Sequence, residues 1–166
     1  VACDDGFAAR LNGVEIARSN LAAGAGRADP AEAAIEPLEE TVDIGPFLDV
    51  FRDGWNVLAI EIHNASSDSS DLTIAAELTA RTASAVERLV PEGARWSIHE
   101  GRTAPDAAWS GPDFQPSPRI AQVEFTAPGI YRPLALTLTG RAAPAVQPDA
   151  ADFTFDKRVM LASDFD

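Results

Sequence analysis

The first eighty residues alternate between short apolar runs and turn residues, at the spacing expected of β-strands. Two such runs lie on either side of Asn12-Gly13. A type I′ turn needs positive φ at both central positions, and Asn-Gly tolerates this, so the stretch predicts a β-hairpin. The alternation after the turn predicts that Val14 and Ile16 face inward and that Glu15 faces outward.

Further strand candidates share an apolar or β-branched run bounded by Gly, Pro, Asp or Ser. They are residues 41–44, 56–64, 72–78, 120–126 and 133–138, with one more in the C-terminal tail at 153–166. Residues 46–51 predict one helical turn. Residues 21–40 predict a long surface loop, because Gly and Pro interrupt every helical period there. Short strands separated by turn signals predict an all-β protein, built as an antiparallel β-sandwich.

The charge and the composition of the chain limit the classes of partner that it is expected to bind. The 166-residue chain has a formal net charge of −13, and its hydrophobic content of 46% is enough for a packed core. A strongly negative surface repels phosphate, which argues against nucleic acid and anionic membranes as partners. No stretch approaches the roughly 20 apolar residues that a membrane helix needs. Cys3 is the only cysteine, so no disulfide can form within the chain.

Three stretches in the first half carry a family resemblance. They read, in order, CDDGFAARLNGVEIARSN from residue 3, TVDIGPFLDVFRDGWNVLAIEIHN from residue 41 and SSDLTIAAELTA from residue 69. This succession resembles the galactose-binding-like jelly-roll modules of secreted bacterial proteins. It is also similar to the sugar-binding domain of the β-galactosidase and β-glucuronidase families. The resemblance covers about residues 3–80 and implies a jelly-roll sandwich in a secreted or cell-surface protein.

A second, partial resemblance begins at residue 89 with LVPEGARWSIHEGRTAPDAAWSGPDF, which looks like the opening of another copy of the module. We therefore divide the chain into three parts. Residues 1–80 supply jelly-roll strands, 81–139 either complete the sandwich or begin a second module, and 140–166 form a linker and a C-terminal strand. An isolated half-sandwich would expose a large apolar face, which favours one compact sandwich.

Aromatic side chains are candidate ligand platforms, because the apolar face of a sugar stacks well on an aromatic ring. The candidates are Trp55, Trp96, Trp109 and Tyr131. Packing in the core or at its rim is the alternative for each of them. Trp109, which lies in a polar stretch, is the preferred platform.

Polar candidates are fewer. His63 and Asn64, at the end of a predicted strand, are candidate ligand contacts, with capping of a loop by hydrogen bonds as the alternative. His63, Ser66 and Asp71 lack the G-x-S-x-G context of a catalytic triad, so no catalytic residue is predicted.

One cation site is also predicted. Asp4, Asp5 and Asn12 offer the hard oxygen ligands that Ca²⁺ prefers, so a structural Ca²⁺ is the cofactor hypothesis. A plain β-turn is the alternative reading of the same residues.

Taken together, the resemblance and the acidic, strand-rich composition predict a non-catalytic accessory module of a secreted, multidomain bacterial protein. We expect weak carbohydrate binding through loop residues, and contact with neighbouring domains of the same polypeptide. Two alternatives remain open. The chain can be a purely structural spacer that braces a catalytic neighbour, or it can be a fragment of a hydrolase.

Overall fold

The structure is a computed structural model that describes residues 1–36, 38–69, 72–81, 85–100, 104–113, 122–123, 135–138 and 153–161. The predicted linker at 140–150, together with Asp71 and Tyr131, lies outside these residues. The described parts are mostly strands. Their helical content is one short 3₁₀ helix, Gly45–Val50, which confirms the predicted helical turn. The protein is therefore all-β in the part of the chain that is described.

The described residues form thirteen strands. In chain order they are β1 Ala2–Cys3, β2 Gly6–Leu11, β3 Val14–Ser19, β4 Leu38–Glu39, β5 Val42–Asp43, β6 Gly54–His63, β7 Ile74–Ala75, β8 Glu77–Arg81, β9 Val86–Val90, β10 Trp96–Glu100, β11 Gln122–Val123, β12 Ala135–Leu138 and β13 Phe153–Leu161. They make three sheets, with the strand orders β4-β1-β7, β11-β10-β13-β6-β2-β3 and β5-β12-β8-β9.

The predicted hairpin is present. Strands β2 and β3 pair antiparallel across a turn in which both Asn12 and Gly13 have positive φ. Ile16 is buried as expected, but Val14 is 45% exposed. The register of the hairpin shifts between Ala9 and Arg10. The β-bulge explains why the neighbours Ile16 and Ala17 are both buried. Val14 lies opposite the buried Leu11, and it is exposed because it adjoins the hairpin turn on β3, an edge strand of the six-stranded sheet.

Pairing is antiparallel through the first half of the chain and becomes mixed where the later strands join. Strand β2 runs antiparallel to β3 and β6, and β8 runs antiparallel to β9. Strand β13 pairs parallel with β6 and β10, and β12 pairs parallel with β5 and β8. Strands from all three predicted parts of the chain thus share sheets. Strands β9 and β10 were not predicted, because the sequence after residue 80 is rich in turn residues.

One hydrophobic core joins the two larger sheets. On β2 and β6 the pairs Phe7–Ile62, Ala9–Ile60 and Leu11–Leu58 lie opposite each other, so they share one face of the six-stranded sheet. Leu78 of β8 and Val90 of β9, from the four-stranded sheet, belong to the same buried cluster. Burying such side chains contributes roughly 1.5–3 kcal/mol each, so this face is the main source of stability. The opposite face of β6 carries Glu61 and His63, which are described next.

Candidate functional site

The antiparallel strands β2 and β6 have a polar cluster at each end. We call the end with the Asn12-Gly13 turn the hairpin end, and the end with Asp5 and His63 the loop end. Strand β6 reaches the hairpin end at Gly54 and the loop end at His63.

Two asparagines hold the hairpin end rigid. Asn12 donates from Nδ2 to the carbonyl of Val50 and to Asn56 Oδ1, each at 2.9 Å. Asn12 Oδ1 accepts the N–H of Val57. Asn56 is fully buried and also binds both backbone groups of Arg52. The hairpin turn, the 3₁₀ helix and the start of β6 are therefore tied into one unit, because each amide atom has a backbone or side-chain partner.

Trp55 stands on this unit and is open to solvent. It follows Gly54, whose φ of +79° is accessible to glycine at low cost, and precedes the buried Asn56. Trp55 is 70% exposed, more than any other large hydrophobic residue in the described part of the chain. An exposed indole on a rigid backbone is pre-organised for stacking, because little further ordering is needed when a ring binds.

Trp109 lies in a tight turn that reaches the same end. The N–H of Trp109 donates to the Asp106 carbonyl at 2.9 Å, and that of Gly111 donates to the Ala108 carbonyl at 2.7 Å. A Cβ placed on Gly13 would lie 3.8 Å from the Gly111 Cα, so this turn packs against the hairpin turn. Trp109 is half-buried. The structure thus brings the backbones that carry two of the three predicted tryptophans to the hairpin end.

Trp96 has a different place. It lies on β10, is 6% exposed and belongs to the hydrophobic core. A side chain buried in this way has no surface to offer to a ligand. Packing in the core, the alternative to a ligand platform, is therefore what the structure shows for Trp96.

At the loop end, Asp5 fastens two loops. Its Oδ1 accepts the N–H of Ile35 at 2.8 Å, and its Oδ2 accepts the N–H of Ala65 at 2.6 Å. Asp5 is buried and has a φ of +64°, which aspartate tolerates better than most residues. Asn20 adds a further tie, donating from Nδ2 to the carbonyls of Asp5 and Ala33.

His63 and Glu61 lie next to each other, buried, beside these hydrogen bonds. His63 is 0% exposed, with Nδ1 2.7 Å from the Asp29 carbonyl and Nε2 3.3 Å from Glu61 Oε1. Arg10 Nη1 binds the other carboxylate oxygen of Glu61 at 2.8 Å. Burial works against the charge of Glu61, yet His63 and Arg10 outweigh it and hold the pKa of that carboxyl below its usual range.

His63 therefore caps a loop, which is the alternative that the sequence left open. Asn64 does the same through its backbone, since its carbonyl accepts the N–H of Ala31 at 2.9 Å. Its side-chain Oδ1 is buried and has no hydrogen-bond partner among the residues that the structure describes. Both residues are buried, and in this conformation neither presents a surface to a ligand.

The predicted calcium ligands are separated. Asp5 and Asn12 lie at opposite ends of β2, seven residues apart, which is roughly 23 Å at about 3.3 Å per residue. One ion cannot bind both. The oxygens of Asp5 and Asn12 are already engaged with backbone N–H groups, and Asp4 is buried. Among the described residues, no group of three or more His, Cys, Asp or Glu side chains is arranged to hold a metal ion.

Sequence reasoning missed the ion pair between Arg10 and Glu61. Its signal was present, because Glu61 is a carboxylate between two isoleucines in a strand that is otherwise apolar. A charge at such a position is seldom buried without a partner. The partner lies 51 residues away in sequence, so only the pairing of β2 with β6 identifies it.

Comparisons of the chain with protein-family models, with curated proteins and with solved structures found no match in any of the three. No helix in the described residues is long and apolar enough to cross a membrane. The assignment of function therefore depends on the geometry of the hairpin end and on the sequence resemblance.

Proposed function

We propose that this chain is a non-catalytic accessory module of a secreted, multidomain bacterial protein, and that it binds carbohydrate weakly through Trp55. The observation that carries the proposal is the 70% exposure of Trp55 on a backbone fixed by the buried Asn56. In the free protein an exposed indole does not contribute the stabilisation that burial would give. A ligand that covers the ring restores that contribution. The turn of Trp109, packed against Gly13, supplies a second aromatic at the same end.

We further propose that the fold is a jelly-roll sandwich of the galactose-binding-like type. Support comes from the order of elements, which runs from the Asn-Gly hairpin through the 3₁₀ turn and the long strand β6 to β8. One core shared by the six-stranded and four-stranded sheets also supports a sandwich. The parallel pairings of β12 and β13 are additions that the resemblance does not predict.

A thermal melt against a panel of neutral oligosaccharides tests the binding proposal. A sugar present at ten times its Kd stabilises the native state by about 1.4 kcal/mol, which raises Tm by about 3–6 °C for a chain of this size. Trp55→Ala should abolish that shift and leave the melt without sugar unchanged. Val86→Ala, which truncates another exposed apolar residue, is the control and should keep the full shift.

Two results would count against the proposal. If Trp55→Ala keeps the sugar-induced shift, Trp55 is not the platform, and Trp109→Ala becomes the next variant to measure. If no sugar moves the melt of the unaltered chain, carbohydrate binding is refuted for the panel used.

The second candidate function is a structural module that braces a neighbouring domain. The observation in its favour is that Val14, Leu48 and Val86 are exposed apolar residues, which a docked neighbour would cover. It predicts that no sugar affects the melt.

A further inference from the structure

The turn at the hairpin end combines a chemically reactive dipeptide with a side chain that is fully hydrogen-bonded. Asn12 is the only asparagine in the chain that is followed by glycine. Glycine has no side chain to hinder its own backbone nitrogen, so that nitrogen can attack the preceding carboxamide with little steric cost. Gly13 is exposed and Asn12 is half-buried, which gives water access to the turn.

We propose that Asn12 is a deamidation site that the folded chain protects, and that its conversion makes any opening of the hairpin end irreversible. The inference does not depend on sugar binding, although Trp55 stands on the same unit of structure.

The reaction needs only water and a solvent base. The backbone nitrogen of Gly13 loses its proton to the base and forms a bond to Cγ of Asn12. The bond between Cγ and Nδ2 breaks, and Nδ2 leaves as ammonia after taking up a proton. Water then opens the cyclic imide at one of its two carbonyl carbons. Opening at Cγ gives aspartate, and opening at the backbone carbon gives isoaspartate, without oxidation or reduction.

The folded hairpin end opposes the first step of this reaction. Nδ2 of Asn12 is held by the Val50 carbonyl and by Asn56 Oδ1, each at 2.9 Å, and Oδ1 of Asn12 accepts the Val57 N–H at 2.9 Å. For Cγ to swing towards the Gly13 nitrogen, these three bonds must open. Each is worth a factor of about five, so together they should slow ring closure about a hundredfold.

The product cannot restore what the asparagine held. A carboxylate at position 12 only accepts, and it would face two further acceptors, the Val50 carbonyl and Asn56 Oδ1. Asn56 cannot turn its amide to offer a donor, because its Oδ1 accepts the Arg52 N–H at 2.9 Å and its Nδ2 donates to the Arg52 carbonyl at 2.8 Å. Isoaspartate would in addition lengthen the backbone of the turn by one carbon atom. The hairpin end therefore cannot close again in its original form.

The architecture of the turn explains why a reactive pair stands here. Position 12 has a φ of +50° and carries a side chain that both donates and accepts, while Gly13 has a φ of +87°. Aspartate tolerates the backbone conformation but lacks the donor, and glycine lacks the side chain. Asparagine meets both requirements, and glycine is the residue that best tolerates the next position.

Site-resolved mass spectrometry of the full chain tests the proposal. The chain is incubated in heavy-oxygen water at one mildly alkaline pH and one temperature, with and without urea, so that only imide opened during incubation gains the label. We expect Asn12 to convert in urea and to convert about a hundredfold more slowly in the folded chain. No conversion in urea would overturn the site, and equal rates in both solutions would overturn its protection by the fold.

A pair of variants identifies the hydrogen bonds as the cause of the protection. Asn56→Ala removes one partner of Asn12 and should speed conversion without urea about fivefold or more, while the rate in urea stays the same. Asn64→Ala truncates the same residue type at the loop end and should leave both rates unchanged. An Asn56→Ala rate no faster than that of the unaltered chain would overturn the protective role. If Asn56→Ala does not fold, the comparison with and without urea on the unaltered chain still decides.

Amide hydrogen exchange tests the consequence. Asn12→Asp carries the aspartate product from the start, and it should lower the protection of the Arg52 and Val57 amides about tenfold or more. The Ala31 amide, bonded to a carbonyl at the loop end, should keep its protection. Ser67→Asp adds the same charge at an exposed position and should change none of them. Unchanged protection at Arg52 and Val57, or an equal loss at Ala31, would overturn a local and irreversible release.

Discussion

The carboxylate of Asp5 offers the sharpest test of how the loop end is held. It accepts two hydrogen bonds from the backbone N–H groups of Ile35 and Ala65, at 2.8 Å and 2.6 Å. Leaving a buried N–H without an acceptor costs about 1–3 kcal/mol. Asp5→Asn keeps one good acceptor and tolerates the positive φ, so we expect a loss of about 1–3 kcal/mol. Asp5→Ala leaves both groups unpaired and adds backbone strain of about 1 kcal/mol, for a total of about 3–7 kcal/mol.

Urea unfolding followed by tryptophan fluorescence measures both variants. The expected order of midpoints is unaltered chain, then Asp5→Asn, then Asp5→Ala, with an unchanged slope. A small domain is stable by only about 5–15 kcal/mol, so Asp5→Ala is expected near the limit of folding and Asp5→Asn carries the test. The control is Asp53→Asn, which makes the same change at an exposed aspartate and should stay within about 0.5 kcal/mol. Equal midpoints for Asp5→Asn and Asp53→Asn would refute the reasoning.

Two further predictions concern the same end of the sheet. Gly6→Ala should cost about 1–3 kcal/mol, because a Cβ there would lie 2.6 Å from the Asn20 carbonyl oxygen and 2.9 Å from the Ala31 Cβ. Gly26→Ala, which meets nothing closer than 3.7 Å, is its control, and equal urea midpoints would show that the loop is not packed against Gly6. The lowered pKa of Glu61 means that its ionised form stabilises the fold at pH values above the carboxyl's unfolded pKa, and that this stability is lost as pH falls through the lower folded value. Unfolding free energies from pH 6 to pH 2 should therefore fall less steeply for Glu61→Gln, and parallel curves would contradict the role given to His63 and Arg10.

Prediction from sequence succeeded where local signals act alone. The Asn12-Gly13 turn, the helical turn near Phe47 and the strand ending at His63 were all expected, because turn residues and period-two alternation act over a few residues. The strand in the C-terminal tail was also expected. Its parallel pairing with β6 was not, since partner choice depends on chain segments that are far apart in sequence.

For the candidate site residues too, the sequence indicated the residue types, and the packed structure decided their burial and their distances from one another. Trp55 and Trp96 are the same residue type in similar turn-rich surroundings, yet one is 70% exposed and the other lies in the core. Asp5 and Asn12 looked like neighbours in sequence, and β2 holds them apart at its two ends. Burial and separation are properties of the packed chain, so residue type alone did not determine them.

The sequence by itself determined the all-β class, the position of the hairpin and the residues able to take positive φ, because these follow from backbone sterics and local periodicity. Tertiary structure alone decided that Arg10 meets Glu61, that His63 caps the loop and that Trp55 stays in solvent. Those outcomes depend on which strands pair and on which face each strand buries, and long-range packing sets both.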